Sequence, residues 1–182
     1  MRSEENELIS KAKESKENQL IKLYEEYYNR VARYVYVRIG NKDEAEDIAS
    51  EVFLKALDSL KTYQERGLPM QAWIFRIAHN LVVDHLRKAV RRKFVPIEKA
   101  EIRDETDPVI TAENNFEMMR VNRAMQKLTE EQREVVRLRF FGELTSREVG
   151  AVMDKSDGAV REMQRAALEK LRHLLNDAGM MG

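Results

Sequence analysis

The chain has 182 residues, a length that allows one domain or two small ones. It has no cysteine, which excludes a disulfide framework, a thiolate metal site and a cysteine nucleophile, and makes a reducing compartment its natural setting. Its 32 basic and 32 acidic side chains cancel to a net charge of zero, so any case for a polyanionic partner must rest on where the charges lie.

The opening 18 residues are charged where a secretory signal would be apolar. From Leu20 the pattern becomes periodic: Leu20, Leu23, Tyr24, Tyr27, Val31, Tyr34, Val35 and Ile39 recur at three- and four-residue steps and predict a helix that Gly40 and Asn41 end. The next segment predicts a helix from Lys42 to Leu60, with Ala45, Ile48, Ala49, Val52, Phe53, Ala56, Leu57 and Leu60 on one stripe. Most of its acids fall on the other face. Between Asn41 and Asp58 six acids stand against two bases.

A loop from Tyr63 to Pro69 leads to a third predicted helix. Ile74, Ile77, Ala78, Leu81, His85 and Leu86 line one side of it, and Arg76, Asn80, Asp84, Arg87 and Arg91 the other. From Arg76 to Lys93 six bases face Asp84 alone. Tyr63, Trp73 and Phe75 beside this basic block suggest aromatic platforms for unstacked bases, although Trp73 is expected to be mostly packed.

The stretch from Phe94 to Thr111 carries two prolines and a run of charges, which marks a linker. After it, Phe116, Met119, Val121, Ala124, Met125 and Leu128 predict a helix near Glu113 to Lys127. Thr129 with Gln132, and Thr145 with Glu148, have capping-box spacing, and Ser156 is a simple N-cap. The last two helices, Ser146 to Met153 and Asp157 to Leu174, are separated by three residues, the shape of a helix-turn-helix. That reading needs Gly150 or Ala151 small at the crossing, Val149 and Val152 buried, and Val160 as an anchor. It exposes Asp157, Gly158, Ala159, Arg161, Glu162, Gln164 and Arg165 to a major groove, with Arg147, Lys155 and Lys170 placed to hold phosphates.

Few chain breakers, seven Gly and three Pro against the roughly 12 % of average usage, complete the case for an all-α fold. The expected architecture is two small helical domains on a flexible linker: an extension 1–15, a domain 16–95, a linker 96–112, and a helix-turn-helix domain 113–178. No catalytic group, metal site or cofactor is expected. His79 and His85 are six residues apart and cannot share a helix face as ligands, and no phosphate loop or nucleophile turn is present. No apolar run reaches the ~18 residues of a membrane span, so a soluble, cytoplasmic chain without membrane insertion is expected.

Three segments in order, Ile21–Leu57, Met70–Lys88 and Leu128–Arg172, resemble the sigma-70 family of RNA polymerase sigma factors, in its extracytoplasmic-function (ECF) group. The resemblance implies that the first two form sigma region 2, which binds core polymerase and the minus-ten element, and that the third forms region 4, which reads the minus-thirty-five element. It assigns Asp47, Ser50 and Glu51 to core polymerase, many members carrying Gln where Ser50 stands. It assigns Asn80, Arg87 and Lys88 to the minus-ten strand, with Asp84 orienting those cations, and the Tyr63–Gln71 segment to the capture of a flipped base. Lys155, Ser156, Arg161, Gln164 and Arg165 would contact the minus-thirty-five element. Core RNA polymerase, promoter DNA and an anti-sigma factor are the implied partners. The alternatives are a helix-turn-helix regulator that does not bind core polymerase, which leaves the acidic helix without a role, and a purely helical adaptor.

Overall fold

The computed structural model describes residues 2–59, 68–93 and 112–180, and all of its regular structure there is helical. The expected loop core at 60–67, including Tyr63, and the linker at 94–111 lie outside the described residues. The chain divides into two compact units, Met1–Leu86 and Arg87–Gly182.

The first unit holds α1 (Arg2–Ile39), α2 (Lys42–Ser59) and the greater part of α3 (Met70–Lys93), which runs past its boundary. The α1 stripe buries Leu23, Tyr27, Val31, Tyr34 and Val35 against Ala45, Ile48, Ala49, Val52, Phe53 and Ala56 of α2. Gly40, at φ +80°, makes the left-handed turn between the two helices. Asn41 then accepts the Glu44 amide on its side chain and caps α2. Side-chain hydrogen bonds join α3 to α1. Arg30 donates twice to Gln71, at 3.2 Å, and the Tyr34 hydroxyl meets His79 Nδ1 at 3.3 Å.

Phe75 is fully buried, edge-on to Tyr34 at 5.8 Å, and is therefore no platform for a base. Its spacing to Ala78 and Val82 is core spacing, and both of those are buried too. Trp73 is half-buried. The unit's boundary falls at Leu86, and Arg87, Lys88, Val90, Arg91 and Arg92 beyond it on α3 are exposed.

In the second unit α4 spans Ala112–Gln126, α5 Glu130–Val136, α6 Ser146–Met153 and α7 Asp157–Met180. The Thr129–Gln132 capping box forms with both bonds at 3.1 Å. α5 runs on into a π-helical turn, Arg137–Phe141, which buries Leu138 and leads to buried Leu144. The helix-turn-helix follows as expected: Val149, Val152 and Val160 are buried, and Thr145 and Ser156 cap α6 and α7 by accepting the Glu148 and Ala159 amides. α7 continues to Met180, beyond the expected end at Leu174, because its extra turn packs on α4. There Arg120 donates to the Leu175 carbonyl at 2.9 Å, and Lys170 closes the end of α4 by donating to the Lys127 carbonyl at 2.7 Å.

The turn of the motif fixes which small residue matters. Asp154 adopts the left-handed conformation (φ 55°, ψ 46°), one that Asp tolerates, and the Lys155 amide donates to the Gly150 carbonyl at 2.9 Å. A Cβ at Gly150 would stand 2.4 Å from the Lys155 carbonyl oxygen, a backbone atom that cannot rotate away. Gly150→Ala should therefore destabilise the unit by roughly 1–3 kcal/mol, outweighing the helix propensity of Ala. A lowered urea midpoint is the expected result; an unchanged or higher one would contradict this packing.

Candidate nucleic-acid and protein interfaces

The outer face of α2 carries the first group of expected site residues. Asp47, Ser50 and Glu51 are all exposed, and among the described residues neither carboxylate has an ion-pair partner. Ser50 is not isolated: its side chain hydrogen-bonds Tyr28. Burial, followed by the neighbouring Tyr24 and Glu46, pushes the Tyr28 hydroxyl above its ordinary value of 10.0. Tyr24 stacks on Tyr28 at 4.4 Å and meets Phe53 edge-on at 5.4 Å. This aromatic cluster at the edge of the acidic face has no trace in the helical stripe, which takes in Tyr24 but not Tyr28.

The face of α3 presents Asn80, Asp84, Arg87, Lys88, Arg91 and Arg92 to solvent. Asn80 and Arg87 are two helical turns apart and so lie on one line of the helix. Asn80, Asp84, Lys55, Asp58 and Ser59 line a groove of about 230 Å³ floored by Ile77 and Leu81. Its polar lining holds two carboxylates, Asp58 and Asp84, beside Lys55. His85 instead turns to α2, its Nε2 lying 3.3 Å from a Glu44 carboxylate oxygen.

On α7 Arg161 and Arg165 stand in solvent, with 70 % and 69 % of their side chains exposed. Each is paired along the helix, Arg161 with Asp157 at 2.8 Å and Arg165 with Glu162. Asp157 also accepts from the Ser146 hydroxyl, so it ties the start of α7 to the start of α6.

The remaining expected contacts already have internal bonds. Gln164 accepts from Arg139 Nε at 2.9 Å, and the same guanidinium donates to the Leu144 carbonyl. Lys155 is held 3.0 Å from Glu131, and Ser156 uses its hydroxyl as a cap. Arg147 is exposed, whereas Lys170 is spent on the α4 terminus.

The Ser146 bond and then the Arg161 charge hold the Asp157 carboxyl below its ordinary value of 3.8. A depressed folded value means that the bond's contribution is present at neutral pH and is lost as acid titrates the carboxyl through that lowered value. A carbon-13 NMR titration is expected to place the Asp157 midpoint below 3.8. Ser146→Ala should raise it. A midpoint at or above the ordinary value would show that the two helix starts are not tied in this way.

Among the described residues no group of three or more His, Asp or Glu could hold a metal ion, and no helix is long and apolar enough to cross a membrane. The two units are a helical body with an acidic face and a helix-turn-helix with arginines on its second helix, the architecture of a DNA-binding protein. Sequence comparison gives the class a family. Residues 23–92 match the model of sigma-70 region 2, and residues 124–173 that of sigma-70 region 4.

The chain is 35 % identical over 176 residues to the ECF RNA polymerase sigma factor BldN of Streptomyces coelicolor, covering 94 % of this chain and 66 % of that one. It is 31 % identical over 178 residues to the ECF sigma factor SigD of Mycobacterium tuberculosis, covering 94 % and 84 %. The solved structure of the sigma factor RpoE of Bartonella quintana, in complex with the anti-sigma factor NepR, superposes with a TM-score of 0.66. That match has 19 % identity over 87 % of this chain and 97 % of the other, a likeness of fold. The chain belongs to the sigma-70 family, as an RNA polymerase sigma factor of the ECF group.

Proposed function

We propose that the chain binds core RNA polymerase, directs it to promoter DNA and promotes the opening of the duplex. The observation that supports this best is the occurrence of both sigma regions, in order, in one chain. A helix-turn-helix regulator would need only the second and would leave the exposed acids of α2 without a partner.

In this reading Asp47, Ser50 and Glu51 meet a basic surface of the polymerase, for which a row of solvated carboxylates is complementary. Asn80, Arg87 and Lys88 follow the unpaired minus-ten strand, and the groove beside Asn80 receives the edge of a base. Arg161 and Arg165 read bases in the minus-thirty-five major groove once they release their acid partners, while Lys155 and Ser156 face phosphates at the turn. Gln164, through Arg139, orients α7 more than it reads a base. The chain performs no covalent chemistry of its own, and it works in the cytoplasm, where polymerase and promoter are found. An anti-sigma factor, such as RpoE has in NepR, is the partner that would withhold it from polymerase.

Gel filtration of the purified chain with core polymerase tests the reading. Co-elution is expected. A chain that binds promoter DNA yet never co-elutes with core polymerase would be a regulator of the other class.

A further inference from the structure

Opposite the buried side of α7 runs a line of four residues. Val160 and Ala167 are fully buried, and Met163 and Gln164 beside them are half-buried. Gly158, Glu162, Arg165 and Glu169 follow one another at steps of four, three and four, which puts them on the outward line of the helix, and all four are exposed. A Cβ at Gly158 would meet nothing within 4 Å, so no packing requires the glycine, and its bare backbone lets the start of the helix approach a surface closely.

The next position on that line is an acid. Glu162 has 67 % of its side chain exposed and accepts from Arg165 Nη2. Exposed pairs at this spacing are ordinary on solvated helices and hold them together only weakly. This one stands on the line that α7, as the second helix of the motif, turns to the major groove. When Arg165 turns to a base, the Glu162 carboxylate loses its cation in a groove walled by phosphates. An ionised carboxylate only accepts, so nothing but a donor can replace the guanidinium. Guanine presents two acceptors in the major groove, thymine an acceptor and a methyl group, and adenine an acceptor beside its amine. Cytosine alone presents an amine with no acceptor next to it.

We propose that Glu162 determines the base at one position of the minus-thirty-five element: its carboxylate accepts from the exocyclic amine of a cytosine there and disfavours every base that presents an acceptor, while Arg165 takes a guanine beside it. The inference rests on the sigma-factor reading of α7 and adds to it a base and the residue that selects it. Glu162 contributes little to affinity and much to discrimination, because its main effect is the penalty of remaining unpaired at a wrong sequence.

Holoenzyme assembled from core RNA polymerase and the full chain selects from a pool of random-sequence duplexes, and the enriched upstream element is compared between wild type and variants. The wild type should enrich an element with one position at which cytosine is preferred by about tenfold or more. Glu162→Ala should reduce that preference to within about twofold, at that position alone, with thermal melting and polymerase affinity unchanged because the side chain is exposed. Glu162→Gln, whose amide also donates, should admit adenine there. A cytosine preference that survives Glu162→Ala would overturn the inference and leave the sigma-factor reading standing. So would a loss spread evenly over the element, a responsive position that favours another base, or a Glu162→Gln variant that still rejects adenine. A wild-type chain that enriches no element beyond those of core polymerase alone would overturn both.

Discussion

Reversing two charges on α2, Asp47→Lys with Glu51→Lys, should weaken association with core polymerase by on the order of a hundredfold, about 3 kcal/mol, while leaving the far-ultraviolet circular dichroism of the chain unchanged. The large effect is expected because reversal replaces attraction by like-charge repulsion at two neighbouring points of a basic partner. The small structural effect follows from the positions. Both side chains are exposed and neither is ion-paired among the described residues, so removing them disturbs no contact that holds the unit together. Lysine has nearly the helix propensity of glutamate. The acids that do favour the helix electrostatically, Asp43 and Glu44 in its first turn, are left in place. Unchanged affinity with normal circular dichroism would refute the assignment of this face.

The second large effect concerns strand separation. A sigma factor needs no energy source of its own if it binds unpaired bases more tightly than duplex, because ligand preference alone shifts the opening equilibrium. Asn80 and Arg87 lie on one line of α3 and Lys88 adjoins it, so together they can follow a single strand. Replacing all three by Ala should reduce the open complex at a duplex promoter by about tenfold or more and affect the closed complex far less. A template with a pre-melted bubble should restore much of the loss, since the protein then no longer has to offset unpairing. Permanganate reactivity of unpaired thymines reports both. Variants that open duplex promoters as well as the wild type would make the basic end of α3 an ordinary solvated terminus.

Most of the helical framework was legible because burial leaves a periodic trace. The α2 stripe from Ala45 to Ala56, the caps at Thr129, Thr145 and Ser156, and the anchors Val149, Val152 and Val160 all lie where spacing and capping chemistry put them. Phe75 was misread for a reason of chemistry: an aromatic beside a basic run looks like a base platform, but its register with Ala78 and Val82 makes it core. The π-turn at Arg137–Phe141 has no local signature, for its sequence is equally compatible with a continued α-helix. It accompanies the burial of Leu138 within it and Leu144 just after it.

The candidate sites were legible as faces and less so as individual contacts. Spacing exposes Arg161 and Arg165 and predicts that they are free to reach DNA. It cannot show that Gln164 is tied to Arg139, or Lys155 to Glu131, because those partners are 25 and 24 positions away and meet only after folding.

Run-off transcription with purified core polymerase, on genomic fragments cut at defined ends, tests the central claim most directly. The account predicts discrete transcripts that require the chain, that fade with the Asp47 and Glu51 reversals, and that shift or vanish when Arg161 and Arg165 are replaced by Ala. Start sites indifferent to the presence of the chain, from a core enzyme that it demonstrably binds, would contradict it.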